Sequence, residues 1–386
     1  MPPSSSSSAA RSATAGAPRL RLVAPRRLRI ADVTLFYGER SGGIRTYLDE
    51  KAGYAATTGL FEHHIVVPGR HERHLLDGPC GRHELRSLRF RVSNGYRVPL
   101  GAGALRGTLR SVRPDVVLLH DPFWRPTEVC RLARELQTPV VAVHHGSSAL
   151  DAAGLPGPGR LWQPLFRAWV RHAYAEADAI MAACDPWEDA RRPATIPLRF
   201  GLHAAFAPPP GDHRGDHVLY AGRLAREKGV FELLEAAARS RDPWPLRLVG
   251  SGPAAGAVRT RARRLGIERR VSVLPFEPSR ERLARLYTGA RCVVMPGAHE
   301  TFGLVALEAA ASGAAVVACS SAPSAGLLGA LAHRFEPGDV GGLERAIARA
   351  RRARPQRAAA AALGARHTWP RAFAAELADL RTLVGP

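Results

Sequence analysis

Lysine is almost absent from this chain of 386 residues: Lys51 and Lys228 are two of its 55 basic residues, and the other 53 are arginines. Against 34 acidic residues this gives a net charge of +21, a balance typical of proteins that bind nucleic acids or anionic membranes. Arginine, alanine, glycine and proline all have GC-rich codons, so a GC-rich genome explains the same balance. Because the arginines are spread out without interleaved aromatic residues, we expect no nucleic-acid partner.

Paired cysteines and long apolar runs are also missing. The five cysteines follow no C-x-x-C spacing, which argues against a disulfide framework and against a structural zinc site. They are Cys80, Cys130, Cys184, Cys292 and Cys319, and we expect them to be buried thiols in a reducing cytosol. No apolar stretch approaches the roughly 20 residues of a membrane span. Residues 1–27 contain no acidic residue and no continuous apolar core, so we expect a disordered tail rather than a secretory signal.

From Leu28 onward, short apolar runs alternate with helical stretches, as in βαβ units. The alternation breaks at Ala204–Gly215, which contains three consecutive prolines, and then resumes. We therefore predict an α/β chain of two doubly wound, Rossmann-like parallel-sheet domains, at residues 28–205 and 206–366, facing a central cleft. The predicted strands are His64–Val67, Val116–His120, Val140–His144, Ala179–Ala182, His217–Ala221, Leu246–Val249, Val271–Leu274, Cys292–Met295 and Ala314–Ala318, besides a first one at Leu28–Phe36.

Ligands of open α/β sheets bind at the carboxyl ends of the strands, and the most informative loop there is PGAHETFGLVALEAAASG, which begins at Pro296. Glu300 precedes the predicted helix and Glu308 lies inside it, so the two carboxylates suit different hydroxyl-bearing parts of one ligand. The first helical amides, Phe302–Val305, form an anion site suited to a pyrophosphate, and Gly303 lets a phosphate approach. A plain helix with an acidic first turn explains the same residues equally well.

Two further loops of the second half carry candidate ligand groups. In VLYAGRLAREKGV, Arg223 and Lys228 follow a strand and together would neutralise a pyrophosphate. A solvated basic loop is the competing interpretation for Arg223, whereas a lysine in so arginine-rich a chain favours a specific role for Lys228. In LVGSGP, Gly252 belongs to a glycine turn before a helix, which is a weak signal on its own.

In the first half, Gly42 and Gly43 open a helix after the first strand and offer another backbone-amide pocket. His120 and His145 each follow a predicted strand end, so we expect both at the rim of the cleft, His120 on the acceptor side. A structural histidine is the competing interpretation for either one taken singly.

Together, GRLAREKG, the spacing ETFGLVALE and the SGG loop resemble the retaining nucleotide-sugar glycosyltransferases of GT-B fold. The stretch LFYGERSGGIRTYLDEKAGYA is similar to bacterial α-mannosyltransferases that act on phosphatidylinositol or glycolipids. The resemblance runs from Leu28 to the end of the chain. It implies an enzyme that moves a sugar from GDP-mannose or a UDP-sugar to a lipid or glycan acceptor, without a bound metal or other cofactor. The predicted helix Trp162–Tyr174 combines Trp, Phe and Arg, so we expect a cytoplasmic enzyme, peripheral on the inner face of the membrane, with an anionic surface as a further partner. A partly buried helix of the N-terminal domain explains these residues equally well.

The resemblance also assigns roles to individual residues. It places Glu300 beside the donor sugar, Glu308 on the ribose, and Arg223 and Lys228 on the diphosphate. The residues expected to contact the donor through backbone or close approach are Gly42, Gly43, Gly252, Phe302, Gly303, Leu304 and Val305. His145 matches a histidine close to the transferred sugar, and residues 367–386 match a helix that crosses back onto the N-terminal domain. We count His145, Glu300, Arg223 and Lys228 as the candidate catalytic residues.

The sequence departs from the family at one point: the interdomain turn often reads PNGVD, whereas Pro197–His203 reads PLRFGLH, without the Asn and Asp. Two alternatives stay open. One is another GT-B enzyme, such as a sugar-nucleotide epimerase; a phosphorylase would need a lysine for pyridoxal phosphate, and the chain has two lysines in all. The other is a non-catalytic, basic nucleic-acid-binding protein, which predicts tight and salt-dependent binding.

Overall fold

The structure is a computed structural model. It describes residues 27–38, 42–89, 97–99, 101–145, 159–183, 194–211, 214–300 and 302–385. Except for its last residue, the predicted tail at residues 1–27 lies outside these ranges, as does Cys184.

The first sheet contains nine strands within the described residues, and its main path runs β3-β4-β2-β1-β6-β7-β8-β9, with β5 paired to β4. The strands are β1 (Leu28–Val33), β2 (Phe61–Gly69), β3 (Arg73–Asp77), β4 (Cys80–Arg89), β5 (Arg97–Pro99), β6 (Val116–Leu119), β7 (Val140–His144), β8 (Ala179–Ala182) and β9 (Ala194–Pro197). β1 pairs in parallel with both β2 and β6, which places the carboxyl ends of the central strands at one edge. β3 and β5 run antiparallel to β4, so this sheet is mixed at its edge, where we predicted parallel strands throughout.

The second sheet has six strands within the described residues, all parallel, in the order β12-β11-β10-β13-β14-β15. They are β10 (Val218–Ala221), β11 (Leu246–Val249), β12 (Val271–Leu274), β13 (Cys292–Met295), β14 (Val316–Cys319) and β15 (Ala332–Phe335). The central strands are continuous apolar runs buried along their length, as strands covered by helices on both faces require. The predicted α/β class with two doubly wound sheets is confirmed.

Helices connect the strands and cover both sheets. They are α1 (Gly43–Thr58), α2 (Gly103–Val112), α3 (Pro126–Glu135), α4 (Gly159–Ala173), α5 (Val230–Arg239), α6 (Ala255–Arg264), α7 (Arg280–Gly289), α8 (Leu304–Ala311), α9 (Pro323–Leu328), α10 (Val340–Arg352), α11 (Arg357–Arg366) and α12 (Trp369–Val384). Ser279, Asp339 and Thr368 cap the N-termini of α7, α10 and α12 by accepting a backbone N–H.

The C-terminal helix α12 belongs to the core of the first sheet. Its Trp369, Phe373 and Leu377 are buried in one cluster with Ile30 of β1 and Tyr47 of α1. The chain therefore returns to the first sheet after completing the second. The exact domain limits at residues 205 and 366 stay a prediction.

The interdomain turn that departs from the family pattern is fastened by the start of α12. The amide of Leu202 donates to the carbonyl of His367 at 2.8 Å, and a Cβ at Gly201 would overlap the backbone of Trp369. Backbone pairing and a glycine contact hold this turn, which carries neither an asparagine nor an aspartate.

Candidate active site

Three loops of the second sheet converge at the carboxyl ends of β10, β11 and β13. A Cβ at Gly229 would lie 2.7 Å from the carbonyl oxygen of Pro296, so the loops after β10 and β13 are in contact. A Cβ at Gly252 would overlap the backbone of Leu224, so the loop after β11 presses on the same segment. This close packing accounts for the glycine at Gly252 without a ligand, and its predicted role toward the donor stays a prediction.

Lys228 and Glu300 meet where these loops converge. Lys228 ends a 3₁₀ turn, Arg226–Lys228, and its Nζ lies 2.7 Å from Oε2 of Glu300. The side chains are only 21% and 14% exposed, respectively. This partly buried pair holds one cation against the carboxylate of the loop that leads into α8, whose first residue is Leu304.

Arg223 pairs with a different carboxylate. Its guanidinium lies 3.4 Å from Oε1 of Glu227, and the side chain is 49% exposed. The hydroxyl of Tyr220 donates to its carbonyl oxygen at 2.6 Å and fixes the backbone there. The two predicted diphosphate cations therefore contact different carboxylates in this structure.

The N-terminus of α8 carries no side-chain cap. Its N-cap residue, Gly303, has a φ of +85°, and a Cβ there would overlap Oγ of Ser324. A glycine is therefore required for both conformation and space. The amides of Leu304 and Val305 lie in the first turn, where helical N–H groups have no intrahelical partner. The predicted anion site thus coincides with an uncapped helix start.

Glu308 lies in the second turn of α8 and is buried. The hydroxyl of Tyr287 donates to its Oε2 at 3.0 Å, and a guanidinium nitrogen of Arg280 lies 3.8 Å from Oε1. Burial raises the pKa of Glu308 to about 7, against the smaller lowering effects of Arg280 and Tyr287. Arg280 also donates to Oγ1 of Thr46 in α1, so it bridges this carboxylate to the first domain.

The glycines of the first domain face the start of α8. A Cβ at Gly43 would lie 3.6 Å from Cδ1 of Leu304, whereas a Cβ at Gly42 would meet nothing within 4 Å. Gly42 is the N-cap of α1 and offers no side-chain cap, so two uncapped helix N-termini face each other across the cleft. The ring of Phe302 packs on Phe200 of the interdomain turn, with centroids 4.4 Å apart.

His120 and His145 are brought together, but not both at the rim. His145 is partly exposed, whereas His120 is only 2% exposed, and its Nδ1 lies 2.7 Å from Nε2 of His145. The prediction that His120 lies on the rim of the cleft is wrong, because a buried carboxylate on β1, Asp32, accepts a hydrogen bond from its other nitrogen. A role of His120 on the acceptor side stays a prediction.

The sequence analysis missed a buried polar cluster behind these histidines. Its members are Asp32, Tyr47, Lys51, His63 and Glu376. Two signals pointed to it: an aspartate among the apolar residues at the end of β1, and the scarcity of lysine, which applies to Lys51 as much as to Lys228.

Three global expectations concern cysteine, metal and membrane. Among the cysteines that the structure describes, Cys130, Cys292 and Cys319 are buried free thiols, as predicted, whereas Cys80 is only half-buried. Across the described ranges, no group of three or more His, Cys, Asp or Glu side chains is arranged to hold a metal ion. In the same part of the chain, no helix combines the length and apolarity that crossing a bilayer requires.

Comparisons with known proteins identify relatives of both halves of the chain. Residues 206–364 match the family model of glycosyl transferases group 1, and residues 41–197 match that of glycosyltransferase family 4. The chain is 30% identical over 313 residues to the GDP-mannose-dependent alpha-(1-6)-phosphatidylinositol dimannoside mannosyltransferase of Mycobacterium tuberculosis, covering 76% of this chain and 80% of that protein.

Solved structures share the fold at low identity. Sucrose-phosphate synthase from Thermosynechococcus elongatus superposes with a TM-score of 0.72 at 19% identity, covering 92% of this chain and 99% of that one. Anabaena HepE in complex with UDP and glucose gives a TM-score of 0.70 at 15% identity, covering 92% of this chain and all of the other. The predicted GT-B fold is confirmed.

Proposed function

The chain belongs to the group 1 family of glycosyl transferases and is a hexosyltransferase, and from this premise we propose its reaction. It transfers a sugar of the mannose or glucose type from a nucleoside diphosphate sugar to an acceptor hydroxyl, with retention of the anomeric configuration. A GDP-mannose donor is supported by the name of the mycobacterial relative, and a UDP-sugar by the UDP and glucose in the Anabaena structure.

One observation carries the proposal: Lys228 pairs with Glu300 on the loop that runs directly into the uncapped N-terminus of α8. A leaving diphosphate develops negative charge, which Lys228 and the first amides of α8 stabilise electrostatically. Glu300 accepts hydrogen bonds from sugar hydroxyls, so one pair serves both ends of the breaking bond. Arg223 adds positive charge from the exposed side of the loop. This site would work without a bound metal, because these groups supply the positive charge.

Retention is assigned to a same-face exchange. The acceptor oxygen forms a bond to the anomeric carbon while the bond from that carbon to the phosphate oxygen breaks. The acceptor proton passes to the departing phosphate oxygen, so the step needs no protein base. Closure of the two domains, between α1 and α8, would orient the donor and acceptor and exclude water.

A thermal-shift panel of GDP-, UDP- and ADP-sugars tests the donor. We expect stabilisation by one nucleotide class, with a shift that grows with the logarithm of donor concentration. No shift with any of them would contradict the proposed donor site.

Lys228→Ala tests the mechanism. Loss of the ammonium should lower kcat by about 10²–10³-fold, the usual effect of one transition-state donor. Stability should fall by about 1 kcal/mol or less, as for other pairs that remain accessible to water. Arg264→Ala, an exposed arginine at the end of α6, is the matched control and should keep wild-type turnover. Near-wild-type transfer by Lys228→Ala would remove this residue from the mechanism.

The acceptor is proposed to be a lipid or a glycan, with the enzyme in the cytoplasm and peripheral on the inner membrane face. The support is α4, which exposes Trp162, Leu165 and Trp169 by 38%, 61% and 36% among its arginines. Such a face suits an anionic bilayer surface. Co-sedimentation with anionic vesicles should fall for Leu165→Ser. It should not fall for the control Leu60→Ser, because Leu60 is an exposed leucine that lies outside α4. Equal binding by both variants, or none by the wild type at low salt, would reject the membrane proposal.

A further inference from the structure

A buried polar cluster lies under the cleft of the first domain, centred on Asp32 of β1. Its carboxylate receives His63 Nε2 at 2.7 Å on Oδ2 and His120 Nε2 at 2.5 Å on Oδ1. Lys51 of α1 places its Nζ 3.1 Å from Oδ2. All four side chains are 1% exposed or less, so water does not stabilise their charges.

The cluster continues to α12. Lys51 Nζ lies 2.8 Å from Oε1 of Glu376, and the hydroxyl of Tyr47 donates to the other oxygen. Burial and the nearby carboxylates hold the pKa of Tyr47 well above its usual range, so Tyr47 is a neutral donor. Two carboxylates therefore share one ammonium. A buried net charge is costly, so the cluster favours one additional proton on an imidazole.

The hydrogen-bond partners of His63 and His120 identify the imidazole that carries this proton. In His63, Nδ1 is buried without a partner among the described residues, so a second proton there would bury an unsatisfied N–H. Burial also lowers the pKa of His63. In His120, both nitrogens face acceptors, Asp32 on one side and His145 on the other. Of the two described imidazoles that contact Asp32, His120 is the one in which both N–H groups would have an acceptor.

The rings of His120 and His145 lie nearly in one plane, with one nitrogen of each facing the other. The ring planes differ by 15° and the centroids are 5.0 Å apart, with the two facing nitrogens 2.7 Å apart. This geometry is that of coplanar rings joined edge to edge by one N–H···N hydrogen bond. The ring of His145 is largely desolvated although the residue is partly exposed, and this holds the pKa of His145 well below its usual range, so His145 is the neutral acceptor.

We propose that the cluster keeps His120 as an imidazolium, and that Asp32 and His120 are positioning residues that fix His145 as an Nδ1–H donor toward the cleft. Nδ1 of His145 has no partner within the ranges that the structure describes, and the residue is partly exposed. This inference rests on the proposed function for its ligand, which is an oxygen of the donor, either a sugar hydroxyl or a diphosphate oxygen. His145 then binds or stabilises that oxygen and does not act as a base.

Selective ¹⁵N labelling of histidine tests the protonation states without any substrate. In the ligand-free enzyme at about pH 7.5, we expect His120 with both nitrogens protonated and His145 with a protonated Nδ1 and a bare Nε2. Spectra of His120→Gln and His145→Asn assign the signals. A neutral His120, or an Nε2–H tautomer of His145, would overturn the proposal whatever the reaction proves to be.

Two variants test what controls the tautomer. Asp32→Asn removes the charge that retains the extra proton, so His120 should become neutral. His63→Gln removes a different contact with Asp32, and the signals of His145 should not change. If Asp32→Asn fails to fold, the wild-type spectrum still decides the question. Titration with the free nucleoside diphosphate and with the intact nucleotide sugar separates the two oxygen sources, because only the sugar hydroxyl requires the intact donor.

A catalytic test asks which nitrogen of His145 carries the hydrogen-bonding N–H. An asparagine amide matches Nδ1 of histidine, and a glutamine amide matches Nε2. With the proposed tautomer, His145→Asn should retain kcat within about tenfold. His145→Ala and His145→Gln should lower kcat by about 10²-fold, the usual effect of losing a hydrogen bond to a charged group. Rescue by Gln and not by Asn would assign the functional N–H to the wrong nitrogen and refute the proposal.

Discussion

Replacing Glu308 with glutamine should remove a pH-dependent cost of folding. Burial raises the pKa of Glu308 to about 7 from the ordinary value of 4.5. Between these values the unfolded chain loses the proton while the folded chain keeps it. Stability from this group is therefore complete below pH 4.5 and is lost as the pH rises to 7. The full loss is about 3 kcal/mol, since each unit of pKa difference is worth about 1.4 kcal/mol.

The assay is the midpoint of thermal unfolding at two pH values. Between about pH 5 and pH 8, the advantage of Glu308→Gln over the wild type should grow by about 2.5 kcal/mol, or about 5–10 °C for a domain of this size. Glutamine can still accept the hydrogen bond from Tyr287. The control is Glu135→Gln, because Glu135 is an exposed carboxylate with surface partners. If the advantage of Glu308→Gln were the same at both pH values, Glu308 would titrate as an exposed group and the argument from burial would be refuted.

Further predictions concern stability. Glu376→Ala should cost about 3–5 kcal/mol, because it leaves the ammonium of Lys51 partly uncompensated inside the core. Asp379→Ala breaks a more exposed pair on the same helix and should cost about 1 kcal/mol or less, so equal losses in urea unfolding would count against the buried pair. Gly252→Ala should cost about 1–3 kcal/mol through overlap with backbone. Gly256→Ala meets open space inside α6 and should be neutral or stabilising, which the same unfolding curves would check.

Most of the second sheet was predictable because its strands are encoded locally, but β15, with the sequence AHRF, was missed because it is not an apolar run. Cys292–Met295 is a continuous apolar run, and this strand was placed at its observed bounds. The helix expected in the following loop begins at Leu304, directly after Gly303. The edge of the first sheet was not predictable in this way. All five residues of Arg73–Asp77 are exposed, so no buried periodicity marks that strand.

In the candidate site, too, the loop residues could be predicted from the sequence and the long-range contacts could not. Loop residues such as Glu300 and Lys228 are recognisable because each follows an apolar strand, although their mutual pairing across 72 positions is a tertiary event. The environment of His120 was beyond sequence reasoning, because Asp32 lies 88 positions away and only the parallel pairing of β1 with β6 brings the two together. A histidine at a strand end does not show in the sequence whether a buried carboxylate contacts it.

The buried pair between Lys51 and Glu376 also bears on the order in which the two halves fold during synthesis. Tyr47, which donates to Glu376, leaves the ribosome 329 residues before it. At roughly 5–20 residues per second, this interval lasts about 15–65 s. Pulse proteolysis of chains arrested before α12 should therefore find the first half still cleavable, since it lacks both a neutralising carboxylate and one face of its core. We therefore expect the half that is made first to become native only after α12 has been synthesised.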